Sequence, residues 1–205
     1  MERAALEIEP RVAIVGAGGY GRTVLDVLLA AGFESWILGF YDDAHKALVE
    51  KIRGFPVLGD IAMLKSMLSV ETVQVIVAIT DNKDRLRVAN SIRALGGQFM
   101  VAVHPAAYVS EETTLGDGCV VAAGAVVHPD SAIGSHCYVG PNSTVDRDVQ
   151  VGAGAWISPG AVLGTGSQAG ARSLLGQNCS VGRKAVIGDD VVVGMLEAVP
   201  PRGEV

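Results

Sequence analysis

From Val109 onward the apolar positions of the chain recur every six residues. Sampled in sixes from Val109 to Val199, 16 positions carry Val, Ile or Leu everywhere except Ala169, and the next residue is Gly at ten of them. Four places after each aliphatic stands a small residue in most hexads, such as Thr113, Ala125, Ser143, Ala161 and Ser173. An α-helix, at 3.6 residues per turn, rotates a six-residue repeat off any single face, and a simple hairpin strand alternates every two. The pattern therefore predicts a parallel β-helix over residues 103–205. Each hexad forms one flat side of a triangular coil, with the aliphatic and the small residue pointing at a narrow axis.

Before residue 100 the periodicity is different. "RVAIVGAGGYGR" reads as a strand, a glycine turn and a helix start, and "TVLDVLLAAGF" continues with helical spacing. A second strand "WILGFYDD", the segment "FPVLGD", a helix "IAMLKSML", a third strand "VQVIVAIT" and a helix "KDRLRVANSIRALGG" follow. Strand and helix alternate, which predicts a small Rossmann-like parallel α/β domain over residues 1–102. The fold class is thus α/β joined to all-β.

Composition narrows the partners. With 49% hydrophobic residues the chain can bury a real core, and 16 basic against 22 acidic side chains give a net charge of −6. No run of Lys and Arg could track a phosphate backbone, so nucleic acid is not an expected partner. The opening "MERAALEIEP" has no signal-peptide pattern, and no apolar stretch approaches the ~18 residues that would insert in a bilayer. A soluble cytoplasmic protein is expected. Cys119, Cys137 and Cys179 all fall on the small inward position, so they are read as packing residues, and no metal site is expected.

Gly16, Gly18 and Gly21 form G-x-G-x-x-G between a strand and a helix, with Asp42 and Asp43 at the end of the next strand. Such glycines let a backbone approach a diphosphate at a helix N-terminus, and a carboxylate there accepts hydrogen bonds from a ribose or base. The plainer alternative is a tight turn that lets the helix pack on the strand. About 100 residues cannot supply both halves of a dinucleotide fold, which favours a ligand with one base and one diphosphate, such as a nucleotide sugar.

"GAGGYGRTVLDVLLAAGF", "LGFYDD", "FPVLG", "VAITDN" with Arg85, and the unbroken hexads through "ISPGAVLGTG" together resemble the NeuD/PglD-like sugar acyltransferases over nearly the whole chain. The resemblance implies a left-handed β-helix, homotrimers, and transfer of an acetyl group from acetyl-CoA to an amine or hydroxyl of a sugar, often nucleotide-linked, for surface glycans. It implies nucleotide-sugar contacts at Gly18, Gly19, Tyr20, Asp42, Asp43 and Thr80, and CoA contacts at Trp156, Gln177 and Met195. The family's base is a histidine in a segment that aligns with Val145, Asp146, Arg147 and Asp148. Here that position is Arg147. Tyr20 and Trp156 also stand where the family has histidines, and Thr80 and Met195 where it has glycines.

A guanidinium with a pKa above ~12 cannot be a general base. Three readings stay open. Another group takes the proton: His128, expected to stack over Asp146 from one coil earlier, or Asp148 acting on an ammonium substrate. Alternatively the protein binds nucleotide sugar, CoA or an anion without turnover, with Arg147 as an anion fork or a salt bridge at a trimer seam. Or it is a trimeric scaffold whose Arg147 and Trp156 fill the old cleft. Trp156, on the outer face of a coil, is expected to be covered by a neighbouring subunit or to wall the acyl pocket. His45, His104 and His136 are read as structural.

Overall fold

The computed structural model describes residues 11–47 and 49–203; the opening segment searched above for a leader lies outside them. β1 (Arg11–Val15) is the central strand of the N-terminal domain. Its apolar run is buried on both sides, as parallel strands covered by helices are. Val12 and Ile14 point to one layer with Val24, Leu25 and Leu28 of α1 (Gly19–Ala30). Ala13 and Val15 point to the other, with Leu64 of α2 (Ile61–Leu68) and Val88 and Ile92 of α3 (Asn82–Arg93).

Beside β1 lie β2 (Ile37–Tyr41) and β5 (Val73–Val77), both parallel to it. The sheet continues through β4 (Phe55–Gly59) to β3 (Lys51–Ile52) on one side and to β6 (Gln98–Phe99) on the other. Only the β3–β4 edge is antiparallel. The chain leaves β1 toward β2 and returns to β1's other flank as β5. The carboxyl ends of β1 and β5 thus border the crevice in which open α/β sheets hold ligands.

The second domain is a left-handed parallel β-helix of two-residue strands, from β7 (Ala102–Val103) to β23 (Ala198–Val199). The strands stack in three parallel sheets, and each residue pairs with the one 18 positions on, as in Val121↔Val139 and Val139↔Ile157. The hexad aliphatics and small residues line the axis, and all three cysteines are free and buried there. Burial raises the Cys137 thiol well above its ordinary pKa, so it stays protonated.

We call the face containing residues 102–103, 120–121, 138–139, 156–157, 174–175 and 192–193 the first face. The second contains Val126–Val127 and Thr144–Val145, the third Ala132–Ile133 and Gln150–Val151. The outward residues of the first face, Ala102, Val120, Tyr138 and Trp156, join the apolar cluster of α1. The N-terminal domain therefore sits on its own β-helix. Trp156, half-buried, packs against Tyr20 of α1 within the same chain.

Candidate functional site

The glycine loop follows β1 because two of its glycines are sterically required. Gly16 has φ +106°, and a Cβ on it would lie 2.5 Å from the Ala78 carbonyl oxygen; a Cβ on Gly21 would lie 2.0 Å from the Gly16 carbonyl oxygen. These two close the loop against β5 and bring α1 onto the strand. Gly18 and Gly19 differ. A Cβ at either would meet nothing within 4 Å, and both face solvent. The fold leaves them free, as a ligand approaching the backbone requires.

Asp42 holds the loop from the neighbouring strand. Its Oδ2 accepts from the Ala17 N–H at 2.8 Å and its Oδ1 from the Ala44 N–H at 2.8 Å. Asp43, exposed, accepts from the Ile61 N–H at 3.1 Å and so ties the start of α2 to the same place. Between them a cavity of about 130 Å³ opens at the strand ends, lined by Val15, Gly16, Asp42, Asp43, Ile61 and Ile79.

The helix ends contrast. Asp60 caps α2 through Met63 N–H and Asp81 caps α3 through Asp84 N–H, both at 2.8 Å. α1 starts at Gly18 with no side-chain cap and no acidic residue in its first turn. Its amide end is open to an anion.

Thr80 is exposed just beyond β5. It borders a larger groove of about 510 Å³ that runs under the 80–83 loop, against Arg172, Leu174, Asp190 and Val192 of the β-helix. Arg172 donates to both oxygens of Asp190, at 2.9 and 2.7 Å, and this pairing holds the Asp190 carboxyl below its ordinary pKa.

Tyr20 points away from the open loop. Its ring is 6% exposed and packs edge-on against Trp156 (4.8 Å between centroids) and Tyr138 (5.1 Å). Burial drives both phenols upward in pKa, Tyr138 to about 12, so neither ionises near neutrality. The Tyr20 ring is thus spent on the domain interface. Gln177 and Met195 lie elsewhere on the β-helix than the Tyr20, Tyr138 and Trp156 cluster of the first face. Those two are exposed and lie one coil apart on the corner between the first and second faces.

At the corner between the second and third faces stand Asp146, Arg147 and Asp148. Asp146 is fixed: Thr165 Oγ1 donates to its Oδ2 at 2.5 Å and the Arg147 N–H to its Oδ1 at 2.8 Å, and these bonds lower its pKa. Arg147 and Asp148 are exposed, and Arg147 makes no ion pair among the described residues. His128 lies one coil before Asp146, its N–H bonded to the Val145 carbonyl, and is near enough for its charge to favour the ionised Asp146.

Sequence reasoning missed the docking of the domains. The signal was the outward column Ala102, Val120, Tyr138, Trp156, apolar at one-coil spacing, where the third face mixes Thr114, Gln150 and Gln168 with Ala132 and Val186. It also left Arg85 without a role. This side chain is 1% exposed and makes five hydrogen bonds.

Comparison with known proteins agrees with both halves. The PglD N-terminal domain matches residues 11–92, and the bacterial transferase hexapeptide (six repeats) matches residues 112–147. The GDP-perosamine N-acetyltransferase of Escherichia coli O157:H7 is 30% identical over 125 residues; the match spans 58% of this chain but only about half, 54%, of that protein. Two solved structures are similar along almost the whole chain. The acetyltransferase domain of PglB from Neisseria gonorrhoeae FA1090, in complex with acetyl coenzyme A, is 31% identical with a TM-score of 0.85, covering 93% of this chain and 92% of that one. PerB from Caulobacter crescentus, in complex with CoA and GDP-perosamine, is 30% identical with a TM-score of 0.85, covering 94% and 92%. A glycine-loop α/β domain docked on an unbroken hexapeptide β-helix, with these matches to each part and to the whole, makes the chain a member of the NeuD/PglD-like sugar acyltransferase family.

Proposed function

We propose that the protein acetylates an amine of a nucleotide-linked sugar with acetyl-CoA, in the cytoplasm and as a homotrimer. Residues 1–102 hold the nucleotide sugar and residues 103–205 the acetyl-CoA. The nucleoside end enters the cavity at Asp42 and Asp43, and the diphosphate meets the uncapped amides at Gly18 and Gly19. Gln177 and Met195 contact the CoA. What supports the reading is the likeness, over more than nine-tenths of the chain, to structures that hold acetyl coenzyme A or CoA with GDP-perosamine.

The chemistry needs three things: an amine to attack the thioester carbonyl, a group to take its proton, and release of the CoA thiolate. Within one chain the strand-end cavity belongs to the N-terminal domain, which docks on the first face, whereas Asp146 lies on the corner between the other two. A corner from a neighbouring copy would complete the site, which is the argument for the trimer. On that corner His128, beside the fixed Asp146 carboxylate, takes the proton that Arg147 cannot accept. Asp148, exposed next to it, accepts a hydrogen bond from the substrate amine.

One observation favours a second reading, binding without turnover: an unpaired, exposed guanidinium stands at the family's base position. A single assay separates the two. Thiol release from acetyl-CoA is followed with GDP-perosamine as the probe acceptor, alongside thermal unfolding. Release above the uncatalysed rate supports the transferase. A raised melting temperature without thiol release, against an expectation of about 2.7 kcal/mol of stabilisation at a hundredfold excess over Kd, supports binding alone.

A further inference from the structure

Arg85 is buried without a counter-charge. Its Nε donates to the His136 carbonyl at 2.9 Å and its Nη2 to the Gly154 carbonyl at 2.7 Å, so it grips two successive coils. Its Nη1 donates to the carbonyls of Ile79 (2.8 Å) and Thr80 (3.1 Å), and its Nη2 also to Asn82 Oδ1 (2.7 Å). Asn82 then donates from Nδ2 to the Arg172 carbonyl at 2.9 Å and the Ser173 carbonyl at 3.1 Å. Residues 136, 154 and 172 occupy the same corner of three consecutive coils. Two side chains of the N-terminal domain thus read carbonyls on three successive coils down the edge of the β-helix.

The rest of α3 follows the same edge. Arg93 pairs with Asp117 at 3.1 Å, Leu86 lies against Gly154, and Lys83 approaches Asp190 at 3.5 Å. Arg85 differs from these outer contacts in being desolvated. No carboxylate lies within ion-pair distance among the described residues, and burial pulls its pKa below the ordinary guanidinium value. Trp156 covers it, 5.4 Å from ring centre to guanidinium carbon. An apolar side chain of similar volume would fill this space at less desolvation cost, so stability alone is a poor account of a charge here. A guanidinium, unlike an apolar group, fixes direction: two of its N–H groups meet carbonyls whose spacing is set by the coil, and the others hold Ile79, Thr80 and Asn82 against them.

We propose that Arg85, with Asn82, is a positioning residue: it holds the 79–82 loop in register with the coils at residues 136, 154 and 172. Thr80 and Asp81, carried by that loop, form one wall of the groove whose other wall is Arg172, Leu174, Asp190 and Val192. The clamp therefore sets the height of an acceptor on the N-terminal domain relative to the β-helix. That last consequence rests on the transferase reading; the clamp itself does not.

The test uses the full chain with Arg85→Met and, as a milder change that keeps the buried charge, Asn82→Ala. Amide hydrogen exchange without ligand is read first. The 79–85 segment is expected to exchange at least about tenfold faster in each variant, while β1 and the coil-core strands are unchanged. Unchanged exchange at 79–85 in Asn82→Ala, or in a folded Arg85→Met, would overturn the clamp whatever the activity. Kinetics with GDP-perosamine and acetyl-CoA come second. A positioning role predicts kcat down about 100-fold in Arg85→Met, with acceptor Kd within about threefold and the acetyl-CoA KM unmoved. A rise in acceptor Kd with kcat intact would overturn the positioning role. A wild-type protein that acetylates nothing would sink the transferase reading and leave the exchange result to decide the clamp.

Discussion

Tyr20 and Trp156, one from the glycine loop and one from the middle of the β-helix, meet edge to face at 4.8 Å. Together with Tyr138, 4.3 Å from Trp156, they weld the loop end of the N-terminal domain to the first face. Because the cluster spans both domains, its loss should weaken the whole molecule. Trp156→Ala is expected to cost about 3 kcal/mol in urea unfolding, toward the low end for a large aromatic because the indole is only half-buried. Tyr20→Leu should cost about 1 kcal/mol less on the Trp156→Ala background than alone. Strict additivity would mean that the two rings do not support each other.

The glycines of the loop should separate by position. Gly21→Ala forces a Cβ to within 2.0 Å of a backbone oxygen, and neither helix nor strand can yield cheaply, so a loss of about 3 kcal/mol or failure to fold is expected. Gly18→Ala meets open space and should leave stability within about 0.5 kcal/mol while weakening nucleotide-sugar binding. Calorimetric titration with GDP-perosamine checks the second half. Equal binding by Gly18→Ala would return the loop to a plain packing turn.

The β-helix was legible because its code is local. Each hexad repeats one inward aliphatic, and a stack of identical turns leaves a single register, the one seen in Val121↔Val139. The α/β domain was legible from alternating periods, and Gly16, Gly21 and Asp42 from their fixed places around a strand–helix turn. The join was not. Trp156 on an outer face looked like a subunit contact, since a one-dimensional pattern shows that a side chain needs cover but not which surface supplies it. Tyr20 looked like a ligand contact for the related reason that loop position does not give side-chain direction. Arg85 was hidden by its type: an arginine in a polar helix reads as solvated until its partners, backbone carbonyls that are silent in sequence, are placed around it.

His136 gives the fold a dependence on acid. Its ring is 3% exposed, packs edge-on to Phe99 at 4.6 Å, and has no hydrogen-bond partner on either nitrogen among the described residues. Burial first, then the charges of Arg93 and Arg85, outweigh Asp117 and lower its pKa to about 4. The unfolded chain takes up the proton near pH ~6.5 and the folded chain only near 4, so the unfolded state binds more protons between them. Stability should therefore fall as pH drops through this window, by about 2 kcal/mol between pH ~7 and ~5 from this group. His136→Asn, chosen because Asn tolerates the local φ of +59°, should flatten that part of the curve even if it lowers the plateau. Urea midpoints at the two pH values decide it. An equally steep loss in the variant would assign the acid sensitivity elsewhere.

The acidic corner carries the last prediction. If His128 takes the amine's proton, His128→Gln should lower kcat about 100-fold with little change in either KM. Arg147→Ala should move kcat by less than about tenfold, since an exposed guanidinium is neither base nor part of the Asp146 hydrogen bonds made by its own backbone N–H. Asp146→Asn can still accept from the Arg147 N–H and donate to Thr165 Oγ1 but removes the charge beside His128, and should act in the same direction as His128→Gln, more weakly. The informative counter-result is Arg147→His. A gain of about 100-fold or more on placing an imidazole there, with His128→Gln silent in the wild-type background, would mean that position 147 still governs the chemistry and that His128 is only a neighbour of the carboxylate.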